Sequence, residues 1–276
     1  MNYKLLLIVP IALLALSAGL LVYKYSTTGE WFIRSIELKG GTEVSVMLQN
    51  HIDVAVLENS LNQKFRSETR ALTGIGGYGI VVRVGPETSA DDVVNELRNQ
   101  GIPVNDVSTK TIGPELGESF WIQAQTGIII AFMLMGIIVF VIFRTVVPST
   151  AVILAALSDI VVTLAIMQLL GIELSLAGFA ALLMLIGYSI DTDILLTTRL
   201  LKESGEIKER VWGAFKTGIT MTATTLGALF VLLLVGISPV LSQIAAVLLI
   251  GLGIDIINTW LQNATLLRWH CERRGI

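Results

Sequence analysis

Six stretches of the chain stay apolar for long enough to cross the roughly 30 Å hydrocarbon layer of a bilayer, which takes about 20 helical residues. They are Leu5 to Tyr23, Trp121 to Phe143, Pro148 to Leu170, Leu174 to Thr198, Thr217 to Gly236 and Val240 to Asn263. Between the first and second runs the pattern changes. Ile36 and Leu38, then Val44, Val46 and Leu48, alternate with polar residues at period two and predict strands on either side of a Gly40-Gly41-Thr42 break. Asp53 to Phe65 puts Val54, Leu57 and Leu61 on one helical face, while Arg70 to Thr73 and Ile80 to Val84 predict two more strands. Ser89-x-x-Asp92 has the form of a capping box opening a second helix through Arg98, and Pro103 to Thr111 predicts a last strand. The order βαββαβ predicts a ferredoxin-like α+β sandwich.

The expected architecture is thus an α-helical polytopic membrane protein of six transmembrane helices with one water-exposed α+β domain. Residues 1–23 form the first span, 24–120 the domain, 121–263 the other five spans with a loop at 199–216, and 264–276 a tail. Within that loop Lys202 to Phe215 predicts an amphipathic helix lying at the membrane surface. Lys4 and the small residues around Ala15-Leu16-Ser17 would also suit a cleaved signal peptide. Such a peptide has an apolar region of about 7 to 15 residues, shorter than this run, so an uncleaved anchor is expected.

Lys and Arg near helix ends stay on the cytoplasmic side. With the N-terminus inside, Lys4, Arg144, Arg199, Lys202, Lys208, Arg210, Lys216, Arg268, Arg273 and Arg274 all fall inside, whereas the tight turns Gly171 to Glu173 and Ile237 to Pro239 carry none. Both termini are then expected in the cytoplasm and the α+β domain outside it, in a cell membrane.

Composition agrees with lipid as the main solvent: 53% of residues are hydrophobic, 15% are charged, and the mean hydropathy is +0.74. A net charge of -3, with nine basic and thirteen acidic residues in 24–120, argues against a nucleic-acid partner. The single cysteine, Cys271, leaves the α+β domain to hold together by its core. His51 and His270 are too far apart in sequence for a metal-ligand cluster, and no cofactor is expected.

The informative chemistry is carboxylic. Asp159, Asp191, Asp193 and Asp255 lie inside apolar spans, where insertion scales give a charged Asp a cost of about 2.5 to 3.5 kcal/mol. At about 1.5 Å per residue, Asp159 lies roughly 17 Å in from Pro148, Asp191 roughly 12 Å in from Arg199 and Asp255 roughly 20 Å in from Arg268, so three helices can present a carboxyl group at a similar level. Asp191 and Asp193 cannot share a face, because two residues turn a helix by about 200°. The fifth span offers Thr217, Thr220, Thr222, Thr224 and Thr225, with Thr220 and Thr224 stacked at i and i+4 as candidate hydroxyl partners. Arg199 stands at the inner mouth, as a snorkelling anchor or a guard of the path. An acid cluster with no intramembrane Lys or Arg has the composition of a proton relay; the bland alternative is polar glue between helices. Gly127, Gly136, Gly178, Gly187, Gly227, Gly251 and Gly253 are expected to allow close helix packing.

Three stretches carry a family resemblance: Leu157-Ser-Asp-Ile-Val-Val-Thr-Leu, Gly171-Ile-Glu-Leu-Ser-Leu-Ala-Gly and Ile186-Gly-Tyr-Ser-Ile-Asp-Thr-Asp-Ile-Leu-Leu-Thr-Thr-Arg-Leu. With Leu38-Lys-Gly-Gly-Thr42 and Ile112-Gly-Pro-Glu-Leu-Gly117, they make the chain resemble the SecF side of the SecD/SecF family. That resemblance implies one six-helix half of an arrangement of the resistance-nodulation-division type, with SecD as the other half. It further implies an accessory, not an enzyme, that uses the proton motive force to help pull unfolded polypeptides from the SecYE channel. Bacterial members carry Gly-Tyr-Ser-x-Asn-Asp-Thr where this chain has Gly187-Tyr-Ser-Ile-Asp-Thr-Asp193, so Thr192 takes the usual Asp position, and Ser158 takes that of a common His. Both departures resemble the archaeal branch. Asp191 aligns with an Asp of SecD and is the first candidate for the titrating group, with Asp193, Asp159 and Asp255 beside it.

Three other readings compete. Tyr188-Ser-Ile-Asp191 and Gly251-Leu-Gly-Ile-Asp255 bear on an intramembrane aspartyl protease, but the second has a spacer too many and a 97-residue domain is foreign to that class. A half-transporter exporting lipid or small molecules would use the same proton chemistry. A scaffold for the translocon would not need the acids at all.

Overall fold

The structure is a computed structural model that describes residues 3–48, 51–74, 77–104 and 107–275; the side chains of residues 3–4, 72–74 and 77 are outside the description. Two compact units are resolved, one from Arg34 to Gln125 and one from the residues up to Ile33 and from Thr126 onward.

After a 3-10 turn at Tyr3–Leu7 the chain enters α1 (Ile8–Thr28), which ends on Gly29 in the left-handed conformation, its N–H donating to Tyr25 O. The α/β unit then runs through α2 (Ile36–Lys39), β1 (Gly41–Leu48), α3 (Val54–Leu61), β2 (Ser67–Gly74), β3 (Gly77–Val84), α4 (Ala90–Asn99) and β4 (Val107–Ile112). The sheet order is β2-β3-β1-β4 with every pair antiparallel, Val44 opposite Val82 and Val46 opposite Ile80. Because strand side chains alternate faces, Val44, Val46, Leu48, Ile80, Val82 and Val84 all reach one side. There they pack on Leu57 and Leu61 of α3 and Val93 and Leu97 of α4. This is the ferredoxin-like sandwich that the order of elements predicts.

Local chemistry sets the helix starts. Asp53 accepts from the N–H groups of Ala55 and Val56, and Ser89 Oγ accepts from Asp91 N–H, each meeting a backbone donor that the helix leaves open. Several elements differ from the sequence reading. Ile36 and Leu38 belong to a helical turn rather than a strand, and both are buried although two residues turn a helix by about 200°. β2 and β3 are longer than predicted, and β4 starts at Val107; residues 105–106 of the predicted last strand lie outside the described residues.

At Gly40 and Gly117 backbone meets backbone. A Cβ on Gly117 would stand 2.5 Å from Gly40 N, and one on Gly40, which has φ +78°, would stand 2.7 Å from Pro114 Cα. Only glycine fits there. That clasp holds the first turn of α5 (Pro114–Phe143) to the end of α2.

Among the described residues, the other unit completes six helices long and apolar enough to cross a membrane: α1 with its leading turn, α5, α6 (Val146–Leu169), α7 (Leu176–Lys202), α8 (Ile207–Val235) and a last helix, Pro239–Arg274. The last is composite, with α9 (Pro239–Ile257), a π-helical segment Asn258–Asn263 and α10 (Ala264–Arg274). The chain is a multi-pass membrane protein. Two sequence expectations change here. Lys202 to Phe215 does not form a separate surface helix: α7 stops at Lys202 and α8 starts at Ile207 and continues unbroken. The predicted tail from residue 264 is a continuation of the last helix. α6, α7 and α9 pack on one another, while α1, α5 and α8 leave most of their apolar side chains facing outward. Gly251 on α9 lets Leu185 of α7 approach to where a Cβ would be 2.4 Å from it, so two of the acid-bearing helices lie close together.

Candidate functional site

On α7 the residues Leu185, Ser189, Thr192, Asp193 and Leu196 are all buried, a spacing of three and four that marks one helical face. That face turns toward α6, which brings Asp159, and α9, which brings Asp255. All three carboxyl groups are buried, at 1%, 0% and 1% exposure for Asp159, Asp193 and Asp255.

Their partners are neutral. Asp159 accepts from Asn258 Nδ2 at 2.8 Å on Oδ1 and from Ser189 Oγ at 2.6 Å on Oδ2. Asp193 Oδ1 accepts from Asn263 Nδ2 at 2.6 Å and lies 3.1 Å from Thr259 Oγ1. Asp255 has Thr259 Oγ1 at 3.0 Å from Oδ1 and Thr192 Oγ1 at 3.3 Å from Oδ2. Among the described residues, no Lys, Arg or His pairs with any of the three. Asp193 Oδ2, Asn258 Oδ1 and Asn263 Oδ1 are buried without a hydrogen-bond partner. Isolated charges in such a place are costly, so the cluster suits carboxyl groups that exchange hydrogens with one another and with hydroxyls.

The structure brings together Asp159, Asp193 and Asp255 but not Asp191, which lies exposed on the other face of α7 next to exposed Gly187 and Tyr188. Thr220 and Thr224 are also exposed. Each hydroxyl donates to a carbonyl of its own helix, Thr220 to Lys216 O and Thr224 to Met221 O, both at 2.8 Å, rather than to a carboxyl group. Arg199 donates to Thr217 Oγ1 at 3.2 Å and lies over Gly213 of α8, away from the acids. No group of three or more His, Cys, Asp and Glu side chains is arranged to hold a metal ion among the described residues.

Sequence reasoning did not single out Ser189, Asn258, Thr259 or Asn263. The signal was present as Asn258-Thr259-x-x-Gln262-Asn263 inside an apolar run. In an α-helix, however, Asn258 and Asn263 would be about 140° apart and could not both face the acids. The π-turn removes that obstacle: Ala264 N–H donates to Thr259 O, one residue further back than in an α-helix, and Asn258, Thr259, Gln262 and Asn263 are all buried. Single π-turns inside α-helices recur at functional sites.

Residues 92–273 match the family described as protein export membrane protein SecD/SecF, C-terminal. The chain is 42% identical to the protein-export membrane protein SecF of Methanocaldococcus jannaschii, over 98% of this chain and 96% of that one. It is 41% identical to that of Methanothermobacter thermautotrophicus, over 99% and 94%. It is 37% identical to that of Haloferax volcanii, over 95% and 90%. In fold it is similar to the crystal structure of SecDF, a translocon-associated membrane protein from Thermus thermophilus, with a TM-score of 0.80 at 22% identity. That match covers 99% of this chain and 39% of the longer one.

Proposed function

The chain belongs to the SecD/SecF family of protein-export membrane proteins, on its archaeal SecF branch, and on that premise we propose that it assists protein translocation through the Sec channel, driven by protons passing through Asp159, Asp193 and Asp255. One observation carries the proton reading: three buried carboxyl groups from three helices meet with only hydroxyl and amide partners. Acidic residues within membrane spans mark ion pathways and proton relays.

Asp191 supports the reading of this chain as half of a larger assembly. A carboxylate in mid-span facing lipid costs about 2.5 to 3.5 kcal/mol, and Asp191 is exposed beside Leu183, Met184 and Tyr188. We place a helix of SecD against this face. The α/β unit lies outside the cytoplasm, supported by Arg144, Lys202 and Lys208 on the loops that must then be inside. SecYE and the emerging unfolded polypeptide are its partners there.

Secretion of a reporter across an imposed proton gradient tests this, in cells whose only copy carries Asn at 159, 193 or 255. Each substitution is expected to lower gradient-dependent secretion by about tenfold or more. Secretion unchanged in all three defeats the proton reading. Asp191→Asn is expected to act differently, by lowering the yield of SecD recovered with the chain.

A further inference from the structure

Hydrogen counting at the carboxyl cluster sets a condition that distances alone do not. A threonine hydroxyl has one hydrogen to donate and two lone pairs to accept with, whereas an ionised carboxylate can only accept. Thr259 Oγ1 lies at hydrogen-bonding distance from both Asp193 Oδ1, at 3.1 Å, and Asp255 Oδ1, at 3.0 Å. Its one hydrogen satisfies one of those contacts. For the other to be a hydrogen bond, the carboxyl group must be the donor.

Thr192 stands beside the other oxygen of Asp255. Its hydroxyl has Ser189 O at 2.9 Å and Asp255 Oδ2 at 3.3 Å as acceptors for its single hydrogen. Asp159 already accepts on both oxygens, from Asn258 and from Ser189, and Asp193 Oδ1 already accepts from Asn263. The hydrogen-bond pattern therefore centres on Asp255 as the acid that carries the hydrogen.

We propose that the Thr259 hydroxyl is the bridge over which one proton passes between Asp255 and Asp193. The step balances without any other reagent. The O–H bond of the Asp255 carboxyl breaks as its hydrogen goes to Thr259 Oγ1, the hydroxyl's own O–H bond breaks as its hydrogen goes to Asp193 Oδ1, and the pair keeps a net charge of minus one. Asn263 holds the receiving oxygen, and the π-turn holds both Thr259 and Asn263 toward it. Of the other titratable groups on the packed helices, Asp159 shares the cluster through Asn258 and Ser189, and four are turned elsewhere. Asp191 faces outward, Arg199 bonds Thr217, Arg210 bonds the carbonyls of Leu200 and Glu203, and Cys271 bonds Leu200 O. This inference rests on the proton reading of the site, but its first readout does not require transport.

Infrared spectra of the full chain in lipid nanodiscs provide that readout, through the carbonyl stretch of protonated carboxyl groups and its shift in heavy water. Wild type is expected to show such a band near neutral pH, and both Asp255→Asn and Asp193→Asn are expected to remove or move it. Thr259→Val keeps the shape but has no hydroxyl, and is expected to shift the band to a weaker hydrogen bond; Thr259→Ser is expected to restore its position. Proton uptake by proteoliposomes holding the chain with its partner half is expected to fall about tenfold or more in Thr259→Val and to recover in Thr259→Ser.

A missing wild-type band overturns the bridge, as does a band unmoved by Thr259→Val. Should the valine variant not fold, a band unchanged in both Asn variants overturns it equally. A band that shifts as expected while even wild type takes up no protons upholds the bridge and defeats the proton-driven reading instead.

Discussion

The centres of the two units differ in how much polar material they bury: one is almost wholly apolar, the other mixes apolar side chains such as Leu182, Leu185 and Leu196 with many polar ones. In the α/β unit the fully buried side chains are Leu38, Val44, Val46, Leu61, Ile80, Val82, Val93 and Leu97, with Thr42 as the polar exception among the described residues. In the membrane unit Ser158, Ser189, Asp193, Thr197, Asn258, Thr259 and Asn263 are as fully buried. The surrounding solvent accounts for the difference. Water drives apolar side chains together and rewards polar ones for staying outside. Lipid tails are as apolar as leucine, so helices in a membrane gain little by hiding leucines from them and associate instead through close packing and interhelical hydrogen bonds. One centre therefore holds its fold by exclusion, whereas the other has room for chemistry.

The contrast predicts how each centre breaks, and the largest effect belongs to the dry one. Val82→Asp puts a charge with no partner among apolar side chains, at a cost of several kcal/mol. Because a whole domain is stable by about 5–15 kcal/mol, the α/β unit is expected to become protease-sensitive, while the membrane helices of the same variant remain protected. In the membrane unit Gly251→Ala pushes against Leu185 and is expected to cost about 1–3 kcal/mol of overpacking. It should also reduce gradient-dependent secretion by moving Asp255 away from α7. Unfolding in mixed detergent micelles measures the first effect and the secretion assay the second.

Ser189→Ala sharpens the comparison from the polar side. It removes one interhelical bond to Asp159, and such bonds average about 0.6 kcal/mol in membranes. The fold should barely notice. A loss above about 3 kcal/mol would mean that the polar centre is the fold's main support, and the contrast between the units would fail.

The smallest effect lies on the surface of the α/β unit. Hydrogen bonds from Lys64 and then Gln100 hold the Glu96 carboxyl below its ordinary pKa of 4.5. A group lowered in the folded state adds stability above its unfolded pKa and loses it as the pH falls through the folded value. Glu96→Gln is therefore expected to flatten the acid limb of the unit's stability curve slightly and to leave it unchanged at neutral pH. A change at neutral pH as large as the one at acid pH would show a packing effect instead.

The sequence by itself determined the six spans, because about 20 apolar residues in a row have few other uses. It also determined the order and pairing logic of the ferredoxin-like unit, since period-two runs and a short amphipathic face leave few ways to build one core. It named four intramembrane acids as the centre of interest, because charge in lipid is conspicuous whatever the fold. Which of those acids meet was decided by the tertiary structure. Asp191 and Asp193 differ in sequence by two places and in surroundings by the whole width of a helix, and only the packing of α7 on α6 and α9 selects Asp193. Thr220 and Thr224 looked like partners because they stack on one face, but that face of α8 is turned outward. Asn258, Thr259 and Asn263 became partners through a π-turn that no residue pattern announces: one residue of extra helical girth rotates a face, and rotation is settled by what the helix packs against, not by its own sequence.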